Sequence, residues 1–465
     1  MIDLQHRPSS RLEDRRDGTT AASRNRRRVA MALQAMAVLL PGIGVAPAPV
    51  AAAELDAALA AALARTESRV IAWRRDIHQH PELSNREFRT SKLVADHLRS
   101  LGLEVETGIA RTGVVAVVRG ALPGPTIALR ADMDALPITE ELDLPFRSRV
   151  TATYRGETIG VMHACGHDAH TAILMGIAEA LVAVRAQLPG AVVLLFQPAE
   201  EGAPDGEEGG AALMLKEGVF ERYRPEAAFG LHVSPIMRTG QIGYRGGSMF
   251  AASDSFRILV RGRGTHGARP WGGVDPIVTA AQIVTALQTI VSRQIDITAN
   301  PAVITIGAIK GGIRNNVVPD EVEMIGTIRT FDLQQRADVF ARVRRTVEGI
   351  AAAHGASAVF EPEAEGTPVV VNDPALTREA VATLARVVGE PNVRQVPLIT
   401  GAEDFGFFAQ RVPAFYFYLG ITPPQANLAQ VAMNHTSRFY LDEAGLAVGA
   451  RALSAVAIDY LRRGR

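Results

Sequence analysis

The chain has 465 residues, of which 47% are hydrophobic and 21% charged, and its 49 basic and 49 acidic side chains give no formal net charge. This charge balance gives no electrostatic basis for binding nucleic acid or an anionic membrane, and the single cysteine excludes an intrachain disulfide. The length exceeds one ordinary core, so we expect a globular protein of two or three domains.

Residues 1–53 have the features of an export leader. Arg26–Arg28 precede an apolar run at 29–40, and small residues follow up to Glu54. A basic region, an apolar run too short to span a membrane and small residues at a cleavage site are typical of a signal peptide. The arginines favour the twin-arginine route to the periplasm or outside. The alternatives are a disordered leader, or a cytoplasmic protein that starts at Met31.

From Leu55 onward, helices alternate with short strands. Apolar spacing predicts helices at 55–73 and 88–101, separated by a break at Pro81. Further predicted elements are strands at 113–119, 125–130, 191–197 and 227–232 and a helix at 171–185. Strands that alternate with helices predict an α/β fold, with a mainly parallel sheet covered by helices.

Near residue 248 the pattern changes. The predicted elements are strands at 253–261, 302–310, 321–330 and 358–363, with helices at 276–294 and 333–354. This strand-helix-strand-strand-helix-strand order is that of a ferredoxin-like α+β domain. A helix at 374–388, a strand at 415–419 and a helix at 442–462 then resume the first pattern. We therefore predict one domain over 54–246 and 366–465, interrupted by an inserted domain at 247–365.

The segment from His163 to His170 concentrates candidate metal ligands. It holds three of the eleven histidines and the only cysteine. Thiolate and imidazole are preferred ligands of zinc-like ions, and Cys165 and His167 point the same way on an extended backbone. The alternatives are a structural Cys/His site, or a loop with one buried thiol.

Other candidate ligands follow predicted strands. Ligands gather outside the carboxyl ends of strands in open α/β sheets, and that edge is where these residues are expected. The candidates are Asp132, Asp134, Glu200, Glu201 and His232, with His435 after the last strand. An alternative for His232 is a core histidine at a strand end.

The adjacent carboxylates Glu200 and Glu201 point to catalysis. On an extended backbone neighbouring side chains point apart, so one binds metal while the other stays free. A free carboxylate beside a metal-activated water accepts its proton, as a hydrolase requires. The alternative is a solvated acidic loop, because Asp205, Glu207 and Glu208 follow closely.

Together these segments resemble the aminoacylase/carboxypeptidase family of dinuclear metallohydrolases, and within it the branch of hippurate hydrolases, N-acyl-amino-acid amidohydrolases and indoleacetyl-amino-acid hydrolases. The resemblance covers residues 55–461. The matching motifs lie at 75–82, 129–137, 162–170, 196–202, 264–270, 316–320 and 401–405. It implies a metal-dependent amidohydrolase that cleaves an N-acyl-amino acid to a carboxylate and a free amino acid.

The resemblance also implies roles for individual residues. The implied metal ligands are Cys165, His167, Glu201, His232 and His435. Glu200 corresponds to the general base, and Asp134 to the aspartate that orients a ligand. The resemblance further implies two divalent metal ions per subunit. Zinc or manganese is expected, with cobalt and nickel as alternatives.

The inserted domain resembles the family's dimerisation, or satellite, domain, which implies a homodimer. His266 corresponds to a histidine that donates to the oxyanion, often in the partner subunit's site, and Asn316 and Arg329 to residues that hold the substrate's carboxylate. The alternatives are a polar residue in a Gly-rich turn for His266 and an exposed strand arginine for Arg329.

Two other functions are open from the sequence. The first is a dipeptidase or carboxypeptidase on the same fold, because a peptide differs from an N-acyl-amino acid only by a free α-amino group. The second is an exported metal- or ligand-binding protein without catalysis. The free carboxylate of Glu200 argues against a binding protein, which has no use for it.

Overall fold

The computed structural model describes residues 48–363 and 366–463. The predicted leader therefore lies outside the described residues up to residue 47, as do residues 364–365 at the predicted end of the inserted domain. Residues 48–53 begin the helix α1 (Ala48–Gln79). The export leader and the domain boundaries stay predictions.

The first half of the chain alternates helices and strands as predicted. After α1 come α2 (Phe88–Ser100), β1 (Val105–Ile109), β2 (Gly113–Arg119), β3 (Leu122–Asp132), β4 (Thr151–Tyr154), β5 (Glu157–Gly160), α3 (His167–Ala183), β6 (Pro189–Gln197), α4 (Gly210–Lys216), α5 (Val219–Tyr223), β7 (Ala227–Arg238), β8 (Ile242–Tyr244) and β9 (Gly247–Phe250). Seven short elements were not predicted from the sequence: β1, β4, β5, α4, α5, β8 and β9.

The remaining elements follow in two groups. The first comprises β10 (Ala252–Arg261), β11 (Thr265–His266), α6 (Pro276–Gln294), β12 (Val303–Gly311), β13 (Val317–Val318), β14 (Glu321–Thr330), α7 (Leu333–Ala353) and β15 (Ser357–Pro362). The second comprises β16 (Val370–Asn372), α8 (Pro374–Val388), β17 (Val393–Gln395), α9 (Gly406–Ala409), β18 (Ala414–Thr422) and α10 (Ala444–Leu461).

The large sheet has the order β1-β2-β6-β3-β7-β18-β8-β17. Its four central strands β6, β3, β7 and β18 are mutually parallel. Strands β6, β7 and β18 are almost entirely buried, as is the second half of β3, which is why these stretches read as continuous apolar runs. One core joins them to α1, α3 and α10, and a second core joins them to α4, α5 and α9. Helices therefore cover both faces of the sheet.

A second sheet has the order β12-β14-β10-β15, with antiparallel neighbours throughout. Helices α6 and α7 pack on it around a separate core that includes Ile258, Leu287, Met324, Val343 and Phe360. This order is that of the split βαβ fold. The predicted fold class, a mainly parallel α/β domain with a ferredoxin-like α+β domain, is confirmed.

The helix α10 is long and apolar enough to cross a membrane by length and composition, the one such helix in the described part of the chain. Most of it is buried inside the protein, where it contacts α8, α1 and α3. These surroundings are those of a core helix.

The turn at Gly166 places the residues that precede and begin α3. Gly166 has φ +95°, and a β carbon there would lie 2.3 Å from Cγ2 of Val233. Only glycine adopts this conformation without a steric penalty. Any larger residue would displace its neighbours Cys165 and His167.

We expect Gly166→Ala to lower the free energy of unfolding by about 1–3 kcal/mol. The alanine would have to adopt a left-handed backbone conformation, and its β carbon would clash with Val233. Denaturant unfolding measures this change. Gly349→Ala is the matched control, since Gly349 lies within α7 and a β carbon there meets nothing within 4 Å; it should stabilise by roughly 0.5–1 kcal/mol. Wild-type stability in Gly166→Ala would contradict the expectation.

Candidate metal centre

The five predicted ligands lie together at the carboxyl edge of the large sheet. Cys165 Sγ is 3.3 Å from His232 Nε2 and 3.3 Å from His435 Nε2. Glu201 Oε1 is 3.1 Å from His435 Nε2 and 4.0 Å from His167 Nε2. These residues come from the start of α3, the loop after β6, strand β7 and the loop after β18. The fold thus gathers donors from four distant segments.

The donors form two overlapping groups. In one group the donor atoms of Cys165, His167 and His232 lie within 4.8 Å of one another, and in the other those of Cys165, Glu201 and His435 do. Cys165 belongs to both groups. The arrangement therefore suits two cations that share the cysteine sulfur.

Two of the atoms that face the space between the predicted ligands form no hydrogen bond. Nε2 of His167 is buried and accepts or donates no hydrogen bond, and Glu201 Oε1 faces His435 without hydrogen-bond geometry. An unsatisfied buried polar atom costs about 1–3 kcal/mol. A bound cation would satisfy both atoms, so the residues fit a metal centre.

The buried acidic groups of the site also favour the binding of cations. Burial and the carboxylates of Glu201 and Glu200 raise the pKa of the Cys165 thiol well above its usual range. Burial lowers the pKa of His167, but Asp132 and Asp134 outweigh that effect and raise it to about 10. A metal ion would stabilise the thiolate and displace the imidazole proton.

Asp134 joins the ligands to one another. His167 Nδ1 lies 2.9 Å from the Asp134 carbonyl oxygen and 3.2 Å from its carboxylate Oδ1. The same carboxylate accepts the backbone N–H groups of Glu200 and Glu201, at 3.1 and 3.0 Å, and the Ser84 hydroxyl. A proton held on Nδ1 leaves Nε2 of His167 free to bind metal.

Glu87 supports the same loop and was not found by sequence reasoning. Its buried carboxylate accepts the N–H of Ala199 at 2.9 Å and the Thr112 hydroxyl at 2.5 Å. Ala199 has φ +52° and directly precedes Glu200. Burial and the charge of Asp134 raise the pKa of Glu87 to about 8. Three successive N–H groups are thus held by two buried carboxylates.

Asp132 and His170, which belong to the segments predicted to hold candidate metal ligands, instead form a supporting pair. His170 Nδ1 is 2.6 Å from Asp132 Oδ1, and its Nε2 accepts the N–H of Val233 at 2.9 Å. Both ring nitrogens are therefore used. Asp132 in turn pairs with the buried Arg130. His170 holds the backbone beside His232 and has no free nitrogen for a metal.

The histidines His78 and His80 lie at the carboxyl end of helix α1. His78 is buried, with Nδ1 2.8 Å from Asp168 Oδ2 and Nε2 3.3 Å from Glu140 Oε1. Arg74 also pairs with Asp168 at 2.9 Å, which ties α1 to the first turn of α3. His80 is at the end of α1, near Asp76.

The predicted residues of the inserted domain are not brought to the metal centre of their own chain. His266 and Asn316 are exposed and line one open cavity. Arg329, on β14, is half-buried, and burial lowers its pKa. Among the described residues, none of the three hydrogen-bonds or ion-pairs with the five ligands. Any role in catalysis needs a second chain or a domain movement.

We expect Asp134→Asn to weaken metal binding roughly 10- to 100-fold, because a residue behind the ligands orients them. Metal titration of the apoprotein by calorimetry measures the affinity. Asp143→Asn, which changes an exposed aspartate of a nearby loop, is the matched control and should bind metal as the wild type does. Equal affinity in the two variants would remove Asp134 from the site.

Three comparisons place the chain among known proteins. The model of peptidase family M20/M25/M40 matches residues 128–459. The chain is 41% identical to thermostable carboxypeptidase 1 of Saccharolobus solfataricus, over 85% of this chain and 96% of that one. It is 39% identical to N-acetylcysteine deacetylase of Bacillus subtilis, over 85% and 97%. A dinuclear metal-binding M20 peptidase structure from Bacillus subtilis is 35% identical, with TM-score 0.71 and coverage of 85% and 99%.

Proposed function

This chain belongs to peptidase family M20/M25/M40, and we propose the residues with which it hydrolyses the amide bond of N-acyl-amino acids. That activity is supported by relatives named N-acetylcysteine deacetylase and IAA-amino acid hydrolase. The observation that carries the assignment is the pair of donor groups that share Cys165, with the carboxylate of Glu200 beside them.

Two divalent ions fit the donor groups. Cys165, His167 and His232 would hold one ion, and Cys165, Glu201 and His435 the other. Such ions, when bound, polarise a carbonyl oxygen and lower the pKa of water. Sulfur and imidazole donors favour zinc, while manganese, cobalt and nickel are the alternatives that a metal analysis distinguishes.

Glu200 is placed to move the proton. Its Oε1 accepts the N–H of Asp404 at 3.4 Å, and its Oε2 faces His167 Nε2 at 3.7 Å. Burial and the carboxylates of Glu403 and Glu201 raise the pKa of Glu200 well above its usual range. A carboxylate of raised pKa both accepts a proton from water and returns it to the leaving amine.

The inserted domain would complete the site from a second subunit. Because His266 and Asn316 are exposed and separate from the metal centre of their own chain, we propose a homodimer in which they reach the partner's centre. There His266 would donate to the developing oxyanion. Arg329 and Asn316 would bind the amino acid's carboxylate, for which a guanidinium is suited.

Export rests on the sequence of the leader. A signal peptide at 1–53 would place the enzyme in the periplasm or outside the cell, with the cytoplasm as the alternative if Met31 is the start. Cell fractionation with and without residues 1–53 tests this proposal.

A peptidase activity is the second candidate. It is favoured by the relative named thermostable carboxypeptidase 1, which is 41% identical. An acyl-amino acid and a peptide present the same amide to the metal centre, so the two differ only in what the remaining pockets accept. The third possibility, a binding protein without catalysis, disagrees with membership of a hydrolase family.

We expect Glu200→Ala to keep two equivalents of metal and to lose at least about a hundredfold in kcat, because a proton-transfer group is removed while the ligands stay. Steady-state kinetics and metal analysis of the same preparation measure both. Glu208→Gln, an exposed carboxylate of the same loop, is the control. Full activity in Glu200→Ala would exclude Glu200 from the reaction.

The substrate class is tested on the wild-type enzyme. We expect N-benzoylglycine and N-acetyl amino acids to be hydrolysed with higher kcat/KM than a panel of dipeptides, measured by release of the free amino acid. A higher kcat/KM for the dipeptides would assign the protein to the peptidases.

A further inference from the structure

A cavity of about 430 Å³ lies beside the predicted metal ligand Glu201. Its apolar lining includes Leu83, Ala135 and Leu136. The hairpin of β4 and β5 adds Thr153 and Tyr154 to the lining. The cavity adjoins the metal centre through Glu201, and its volume is within the range of small-molecule sites.

The cavity is part of the same chain segment as the metal site. Ala135 follows Asp134, and Leu136 pairs with Met162, three residues before Cys165. In the chain, the hairpin of β4 and β5 lies between Asp134, which orients His167, and Cys165, which the two ions would share. A group in this cavity would lie next to the reacting carbonyl.

The two arginines of the lining are already neutralised. Arg86 pairs with Glu207 at 2.6 Å, and Arg155 pairs with Asp205 at 3.3 Å. The Arg155 guanidinium also lies over the Tyr154 ring, 5.5 Å from its centroid. A substrate carboxylate would compete with these acidic partners, whereas an uncharged apolar group would not. The cavity thus suits the uncharged side of the amide bond.

We infer that this cavity binds the acyl group of the substrate and selects an uncharged aliphatic or aromatic acyl group larger than acetyl. The inference rests on the proposed function, since it assigns one side of the scissile amide. An acetyl group would leave most of the volume to water. A longer chain or an aromatic ring would fill it and bury its own surface against Leu83, Leu136 and Tyr154.

The test is a substitution that fills the cavity. Thr153 is an exposed lining residue of β4, where an aromatic side chain is compatible with a strand. In Thr153→Trp we expect the ratio of kcat/KM for N-hexanoylglycine to that for N-acetylglycine to fall by roughly 10-fold or more. Thr151→Trp, on the same strand but outside the lining, is the matched control and should keep the wild-type ratio.

A second variant covers the case in which Thr153→Trp does not fold. Tyr154→Ala removes a ring from the lining and should lower the ratio of N-benzoylglycine to N-acetylglycine turnover, while Tyr154→Phe keeps it. Unchanged ratios in both lining variants, or a wild-type enzyme that prefers N-acetylglycine to both larger substrates, would overturn the inference.

Failure of the proposed function has a different signature. If the wild type hydrolyses only dipeptides, the first residue of the dipeptide takes the place of the acyl group. The ratio of kcat/KM for Phe-Gly to that for Gly-Gly is then measured in the same variants. A fall of that ratio in Thr153→Trp would support the cavity assignment while the amidohydrolase assignment fails. An unchanged ratio would exclude the cavity in either case.

Discussion

The excess of buried acidic groups at the carboxyl edge of the sheet is the constraint on which the site depends. Arg130 is fully buried and pairs with three acidic groups, Asp132, Glu403 and Asp404. The carboxylates of Asp134, Glu200 and Glu201 face the imidazoles of His167 and His435. Such an arrangement is unfavourable without cations, because buried charges need partners. The residues predicted to bind metal are therefore also those whose charges a bound cation would offset.

The fold supplies these residues through elements whose positions are set by other interactions. Parallel strands β3 and β6 end at one edge of the sheet, so the residues that follow them meet there beside His232, which lies within the longer strand β7. The left-handed turn at Gly166 turns the chain between Cys165 and His167. Asp134 and Glu87 hold the loop after β6 through its backbone. The donor geometry is thus built largely from main-chain hydrogen bonds.

The sequence predicted the long elements because their apolar periods are strong. It missed the β4–β5 hairpin, although two β-rich runs separated by Arg155-Gly156 are a hairpin signal. The five predicted ligands and Glu200 were singled out by residue type and by their positions after predicted strands, and the resemblance to a known family then implied their roles. Glu87 was not found, and His170 was noted only as part of the ligand-rich segment, since their partners are N–H groups of Ala199 and Val233 and no spacing reveals such contacts. The proposed role of His266 needs a second chain or a domain movement, and one sequence positions neither.

Anomalous diffraction from crystals of the metal-loaded protein would show whether two cations share the sulfur of Cys165. We expect two peaks about 3.5–4 Å apart, each at bonding distance from the sulfur, about 2.3 Å for zinc. One peak alone, or a second ion bound to Asp132 and His170 and remote from Cys165, would contradict it.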